Sequence, residues 1–210
     1  MDNSKTKLLG NIIIISAPSG AGKSSICKAV INSNQNILYS VSYTTRLPRN
    51  GEKNGKEYFF INKSTFEKMI KEKKFAEWAI VHSHYYGTPK VPLETLGINK
   101  NILLEIDVQG AMNIKKQYSN ACMIFIMTPD LKTLKNRLVS RNKECNEIIN
   151  LRLKNVKKEL KYIYKYEYLV INKKLSSAIH AVKIIIESLH YKIQKTKNTS
   201  YQRRIKNDTK

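Results

Sequence analysis

The chain has 210 residues, enough for one domain or for one core carrying a smaller insertion. Hydrophobic residues make up 41% and charged residues 26%, which excludes a chain too polar to fold and predicts a packed core. The net charge of +22 is a cue to a polyanionic partner, but Lys, Asn, Ile and Tyr are abundant along the whole chain and no nucleic-acid module is recognisable, so a nucleic-acid partner is not expected.

In chain order, Asn11 to Ile15 is a continuous apolar, β-branched run that reads as a buried parallel strand. It is too short for a secretory or membrane segment, so no membrane partner is expected. Ala17-Pro18-Ser19-Gly20-Ala21-Gly22-Lys23-Ser24 follows and opens a helix over Lys23 to Ile31, the strand-loop-helix setting of a P-loop. Glycines there let backbone N–H groups converge on one anion, Lys23 can reach the β- and γ-phosphates, and Ser24 can ligate Mg²⁺. Ala17 departs from the strict initial Gly. The loop points to a nucleoside triphosphate without naming the reaction.

Between about Leu38 and Val91 the rhythm changes to short aromatic strands, Glu57 to Ile61 and Phe75 to Val81. Ser64-Thr65-Phe66-Glu67 reads as a capping box opening a helix between them. Arg46 and Arg49 flank Pro48 and are followed by Tyr58, two guanidinium forks and a phenol suited to a monophosphate. Glu77 lies beside an aromatic strand, and Tyr85-Tyr86-Gly87-Thr88 adds phenols and a hydroxyl. A carboxylate such as Glu77 can accept from both N1–H and the exocyclic amine of guanine while Thr88 donates to O6; adenine would present a lone pair instead.

Further buried strands are expected at Ile102 to Ile106, Cys122 to Met127 and Tyr168 to Ile171, with helices over Val108 to Gln117 and Leu131 to Arg141 between them. Asp107, ending the Leu103–Asp107 run, is the expected carboxylate near Mg²⁺. Arg137 and Arg141, four apart, share a helix face, and Arg152 opens the next helix. That helix carries an apolar stripe of Ile149, Leu153, Val156, Leu160 and Ile163; Ala178, Val182, Ile185, Leu189 and Ile193 form another in a final helix. Cys27, Cys122 and Cys145 form no Cys-x-x-Cys pair, which fits a reducing, cytoplasmic setting.

These motifs, in this order over about residues 10–190, resemble the guanylate kinase family: the phosphate loop, Ser42 to Arg49, Glu77, Tyr86 to Thr88, Glu105 to Gly110 and the arginine-rich stretch 137–152. The resemblance implies an α/β fold: a P-loop core with a parallel sheet flanked by helices, an inserted small mixed α/β GMP-binding subdomain and a helical lid. The expected division is a domain over 8–193 with core 8–37, 92–130 and 163–193, GMP-binding region 38–91, lid 131–162, and a basic, disordered tail over 194–210. It further implies transfer of the γ-phosphoryl group of ATP to GMP with Mg²⁺. Arg46, Arg49, Tyr58 and Tyr86 would hold the GMP phosphate, and Ser42, Glu77, Thr88 and Glu105 would read the guanine. Arg137, Arg141 and Arg152 would close over the transferring group, and Asn172 would face adenine. Glu105 stands where the family usually has Asp, Asn142 where it has Gly, and Lys173 where it has an acid. A catalytically inactive module of the same fold and a P-loop kinase for another phosphorylated small molecule remain alternatives, and the oligomeric state, monomer or homo-oligomer, stays open.

Overall fold

The computed structural model describes residues 10–81, 83–96, 100–141 and 146–191, with the side chains of 141 and 146–150 outside that description. The expected basic tail and Asn142 lie outside the described residues, as does the side chain of Arg141. Among the described residues no helix is long and apolar enough to cross a membrane.

Strand β1 (Ile12–Ser16) is buried along its whole length, as an uninterrupted apolar run must be when both faces of a sheet are covered. It takes the centre of a five-stranded, all-parallel sheet with β2 (Ile37–Ser40), β7 (Asn101–Glu105), β8 (Cys122–Met127) and β9 (Tyr168–Ile171), in the order β2-β7-β1-β8-β9. Helices α1 (Lys23–Asn32) and α7 (Leu175–Ser188) cover one face, where Ile26, Val30, Val182 and Ile186 meet Ile13 and Ile15. Helix α4 (Val108–Gln117) covers the other, where Ala111 and Ile114 meet Ile12 and Ile14. Because β2 pairs with β7, the core sheet continues to Ser40, and the expected start of the inserted region at Leu38 falls inside a core strand.

The insertion builds a second sheet, β4-β3-β6-β5, from β3 (Tyr43–Thr44), β4 (Phe59–Phe60), β5 (Phe75–Val81) and β6 (His84–Pro89). Helix α2 (Lys63–Lys71) is capped by Asn62, whose Oδ1 accepts from the Thr65 N–H at 2.8 Å. The expected cap at Ser64 is therefore corrected: Ser64 lies inside the helix and its hydroxyl donates to the same Asn62 oxygen. An Asn side chain offers its carbonyl two atoms from Cα and satisfies the helix end two residues earlier than the Ser-Thr-Phe-Glu pattern indicates. A short helix α3 (Val91–Glu94) leads back to the core.

The insertion holds together through aromatic packing, with Phe66 fully buried, stacked on Phe75 at 4.5 Å between centroids and tilted against Tyr85 at 5.1 Å. Phe66→Ala is expected to destabilise the protein by roughly 3 to 5 kcal/mol in urea-unfolding measurements, since the ring leaves a cavity between two strands.

Candidate active site

The C-terminal ends of all five core strands lie on one side of the sheet, where ligands of open α/β folds bind. Leaving β1, the chain turns through the 17–24 loop and enters α1 at Gly22, which adopts a left-handed conformation at φ 95°. No side chain caps this helix, so its first amides are left for an anion. Gly22 is also closed to any side chain because the Asn172 amide stands where a Cβ would point. That amide donates from Nδ2 to the Ala21 carbonyl at 2.8 Å. Asn172 is 3% exposed and braces the loop through this hydrogen bond.

A cavity of about 240 Å³ starts at this loop and runs to the second sheet, lined by Lys23 and Ser24 at one end and by Ser42, Arg46, Tyr58, Glu77 and Tyr86 at the other. Arg46 is pre-oriented: one terminal nitrogen donates to both oxygens of Glu52 at 2.9 and 3.0 Å, and the guanidinium lies 5.4 Å over the Tyr58 ring. Tyr58 meets Tyr86 edge to face at 5.8 Å. Arg49, exposed on the same turn, also lines the cavity. A bulge between Phe75 and Glu77 turns Glu77 into the cavity floor, where it is 6% exposed. Burial pushes its carboxyl up to about 7, with Asp107 adding to the rise and the Thr88 hydrogen bond opposing it.

Two of the expected guanine contacts have polar partners within the chain. Thr88 is fully buried behind Glu77 and donates its hydroxyl to Glu77 Oε1 at 2.5 Å, so it orients the carboxylate and does not offer that proton to a base. Glu105 lines the same cavity as Ser42 and Glu77, but its carboxylate turns to the phosphate loop, accepting from Ser24 Oγ at 2.5 Å and Tyr39 OH at 3.3 Å, with Lys23 Nζ 3.9 Å away. Its longer arm reaches that position from the end of β7. Burial opposes the charge of Lys23, but the Glu105 carboxylate together with Tyr58, Cys27 and Asp107 outweighs this and the lysine pKa is raised. Asp107 caps α4, accepting from the Gly110 N–H at 2.8 Å, and its charge is felt by Glu77 and Lys23 alike.

Helices α5 (Leu131–Arg141) and α6 (Asn146–Leu160) pack Leu134, Leu138 and Val156 against Ala21 and Phe125. Arg137 donates to the Asn172 carbonyl at 3.0 Å and Arg152 reaches Ser19 Oγ at 3.4 Å. Arg152 lines the cavity, and so does Glu159, a residue the sequence reading missed. Arg152, Val156 and Glu159 recur at helical spacing, so periodicity would have put Glu159 on the cavity face. Glu52 was missed as well, although it closes the Arg49-Asn50-Gly51 turn.

Glu159 Oε2 is buried without a hydrogen-bond partner among the described residues. Burial, then the charge of Asp107, pushes the carboxyl up to about 7, with Lys23 opposing. A folded-state pKa above the unfolded value means the folded protein keeps a proton that the unfolded chain releases, so stability falls as pH rises from about 4.5 to about 7 and is then level. Glu159→Gln is expected to be neutral near pH 5 and stabilising by on the order of 1 to 2 kcal/mol near pH 8, read from urea-unfolding midpoints.

A family model described as guanylate kinase matches residues 9–189. The guanylate kinase of Clostridium tetani is 42% identical over 191 residues, covering 90% of this chain and 91% of that protein. That of Caldanaerobacter subterraneus subsp. tengcongensis is 42% identical, with 91% and 94% covered. The crystal structure of guanylate kinase from Anaplasma phagocytophilum superposes with a TM-score of 0.74 at 29% identity, covering 89% of each chain.

Proposed function

The chain belongs to the guanylate kinase family and is an ATP:GMP phosphotransferase, and we propose that one continuous cavity holds both phosphate groups, the donor's on the 17–24 loop and the acceptor's among Arg46, Arg49, Tyr58 and Tyr86. The continuity of that cavity is the observation that carries the reading, because in-line transfer needs the two groups in one enclosed space. Neither an inactive binding module nor a kinase for another small molecule draws support from this arrangement.

Arg46 arrives held by Glu52 and stacked on Tyr58, so little side-chain entropy remains to be lost when it meets the GMP phosphate. Glu77, aimed by Thr88 and flanked by Ser42, accepts the two donors on the guanine edge. Lys23, with the free amides of α1, faces the charge that moves during transfer, and Arg152 approaches from α6. Arg137 serves the same end indirectly, by holding the Asn172 backbone that braces the loop.

Among the described residues no set of three or more His, Cys, Asp or Glu side chains forms a metal cage. The oxygen donors Ser24 and Glu105, with Asp107 nearby, instead fit Mg²⁺, which keeps waters and takes few protein ligands beside substrate phosphates. When bound, Mg²⁺ neutralises charge on the donor phosphates. In this reading Glu105 belongs to the metal side, and Asp107 stands between metal and guanine. A cytoplasmic site of action goes with the ATP and GMP it uses.

ADP formation measured across GMP, AMP, CMP and UMP is expected to favour GMP over AMP by roughly 100-fold or more in kcat/KM; equal turnover would remove the guanine assignment. Glu105→Ala is expected to leave GMP affinity unchanged and lower kcat at least about tenfold, and a selective loss of GMP binding would return Glu105 to the guanine side. Only the ionised Glu77 accepts both guanine donors, so GMP affinity should rise with pH through about 7 and then level off. A phosphate monoester also ionises near ~6, so calorimetric titrations of Glu77→Gln separate the two: the rise above pH 6.5 should vanish in the variant.

A further inference from the structure

Gly110 stands in the first turn of α4, where Asp107 is the cap. Its φ is not in the left-handed region, so its backbone conformation is open to any residue, and Ala would be the better helix former. A glycine at such a position calls for a spatial reason. A Cβ built on Gly110 would lie 2.7 Å from Glu77 Oε2, 2.9 Å from Cδ and 3.1 Å from Oε1. The whole carboxylate therefore rests on the bare Cα of the helix, closer than any side chain would permit.

We propose that Gly110 is a specificity-determining residue: its missing side chain sets the depth at which the Glu77 carboxylate sits, and so the distance at which a guanine edge can be read. The proposal rests on the assignment of Glu77 to the guanine donors. The end of a glutamate normally yields cheaply to an added methyl group, but this one is constrained on other sides. Thr88 Oγ1 holds Oε1, the Phe75/Glu77 bulge fixes the backbone, and the side chain is almost wholly buried. To clear a methyl at 110 the carboxylate must break from Thr88 or swing into the cavity, which Gly110 and Glu77 both line. Either movement spoils the paired acceptor geometry while leaving the fold intact, since the displaced atoms are the end of one side chain. The structural role of Gly110 is thereby separable from its effect on binding.

The test is calorimetric titration of nucleotide-free Gly110→Ala with GMP and with ATP, alongside kcat and KM. GMP affinity should fall by about tenfold or more, with KM for GMP rising more than kcat falls, because the guanine donors lose their acceptors. ATP affinity should stay within about twofold, the phosphate loop being untouched. Glu77→Asp withdraws the carboxylate by one methylene, so adding Gly110→Ala to Glu77→Asp should change GMP affinity by less than about twofold. Wild-type GMP binding in Gly110→Ala overturns the proposal, and so does a further tenfold loss in the double variant, a comparison that holds even where the single variant does not fold. Glu77→Ala distinguishes the two levels: unchanged GMP binding there removes the guanine assignment itself, whereas a loss there with none in Gly110→Ala removes only the role of Gly110.

Discussion

The site is organised around one uncapped helix end. The first amides of α1 have no side-chain acceptor, and Gly22 bends the chain so that they face outward from the sheet's C-terminal edge. Helices α2 and α4, by contrast, spend Asn62 and Asp107 on their own N-termini. Unsatisfied donors at a helix start are tolerated where an anion completes them. The five parallel strands gather the rest of the machinery at that point: β1 delivers the loop, β7 delivers Glu105 and Asp107, and β9 delivers Asn172, which locks the loop from behind.

The charges in the cavity follow from that arrangement. Lys23 and Arg46 are each matched within the chain, by Glu105 and Glu52. Among the described residues Glu77 and Glu159 make no ion pair, and burial leaves both only partly ionised around pH 7. Their acidity is a consequence of where the folded chain buries them, and a substrate that supplies donors changes that consequence directly.

The parts legible in the sequence were those with strong local signals. The continuous apolar runs of β1 and β8 could only be buried strands, and the loop between β1 and α1 carried its own chemistry. Strand β2 was hidden because only its ends, Ile37 and Ser40, are buried, so its four residues show neither a continuous apolar run nor a period of two. The two acids of Glu105-Ile106-Asp107 were separable only in three dimensions: the first still obeys strand alternation, while the second has left the strand and caps a helix. Thr88 was read as facing a ligand because its type suits one. Its cross-strand partnership with Glu77, set by the β5–β6 register, is what takes its hydroxyl.

The sheet order also carries a cost in time. Strand β1 pairs with β7 in a register that matches Ile12 to Ile102, so the central pairing closes a loop spanning nearly the whole insertion. Closing so long a chain is entropically slow, whereas the β5–β6 hairpin inside it brings Val81 and His84 together across a tight turn. On topological grounds the insertion orders first and shortens the path between the two central strands, an order that pulse-labelled hydrogen exchange during refolding would resolve. The inserted segment, proposed to receive the acceptor nucleotide, would then double as the clasp by which the phosphate-loop half of the molecule is assembled.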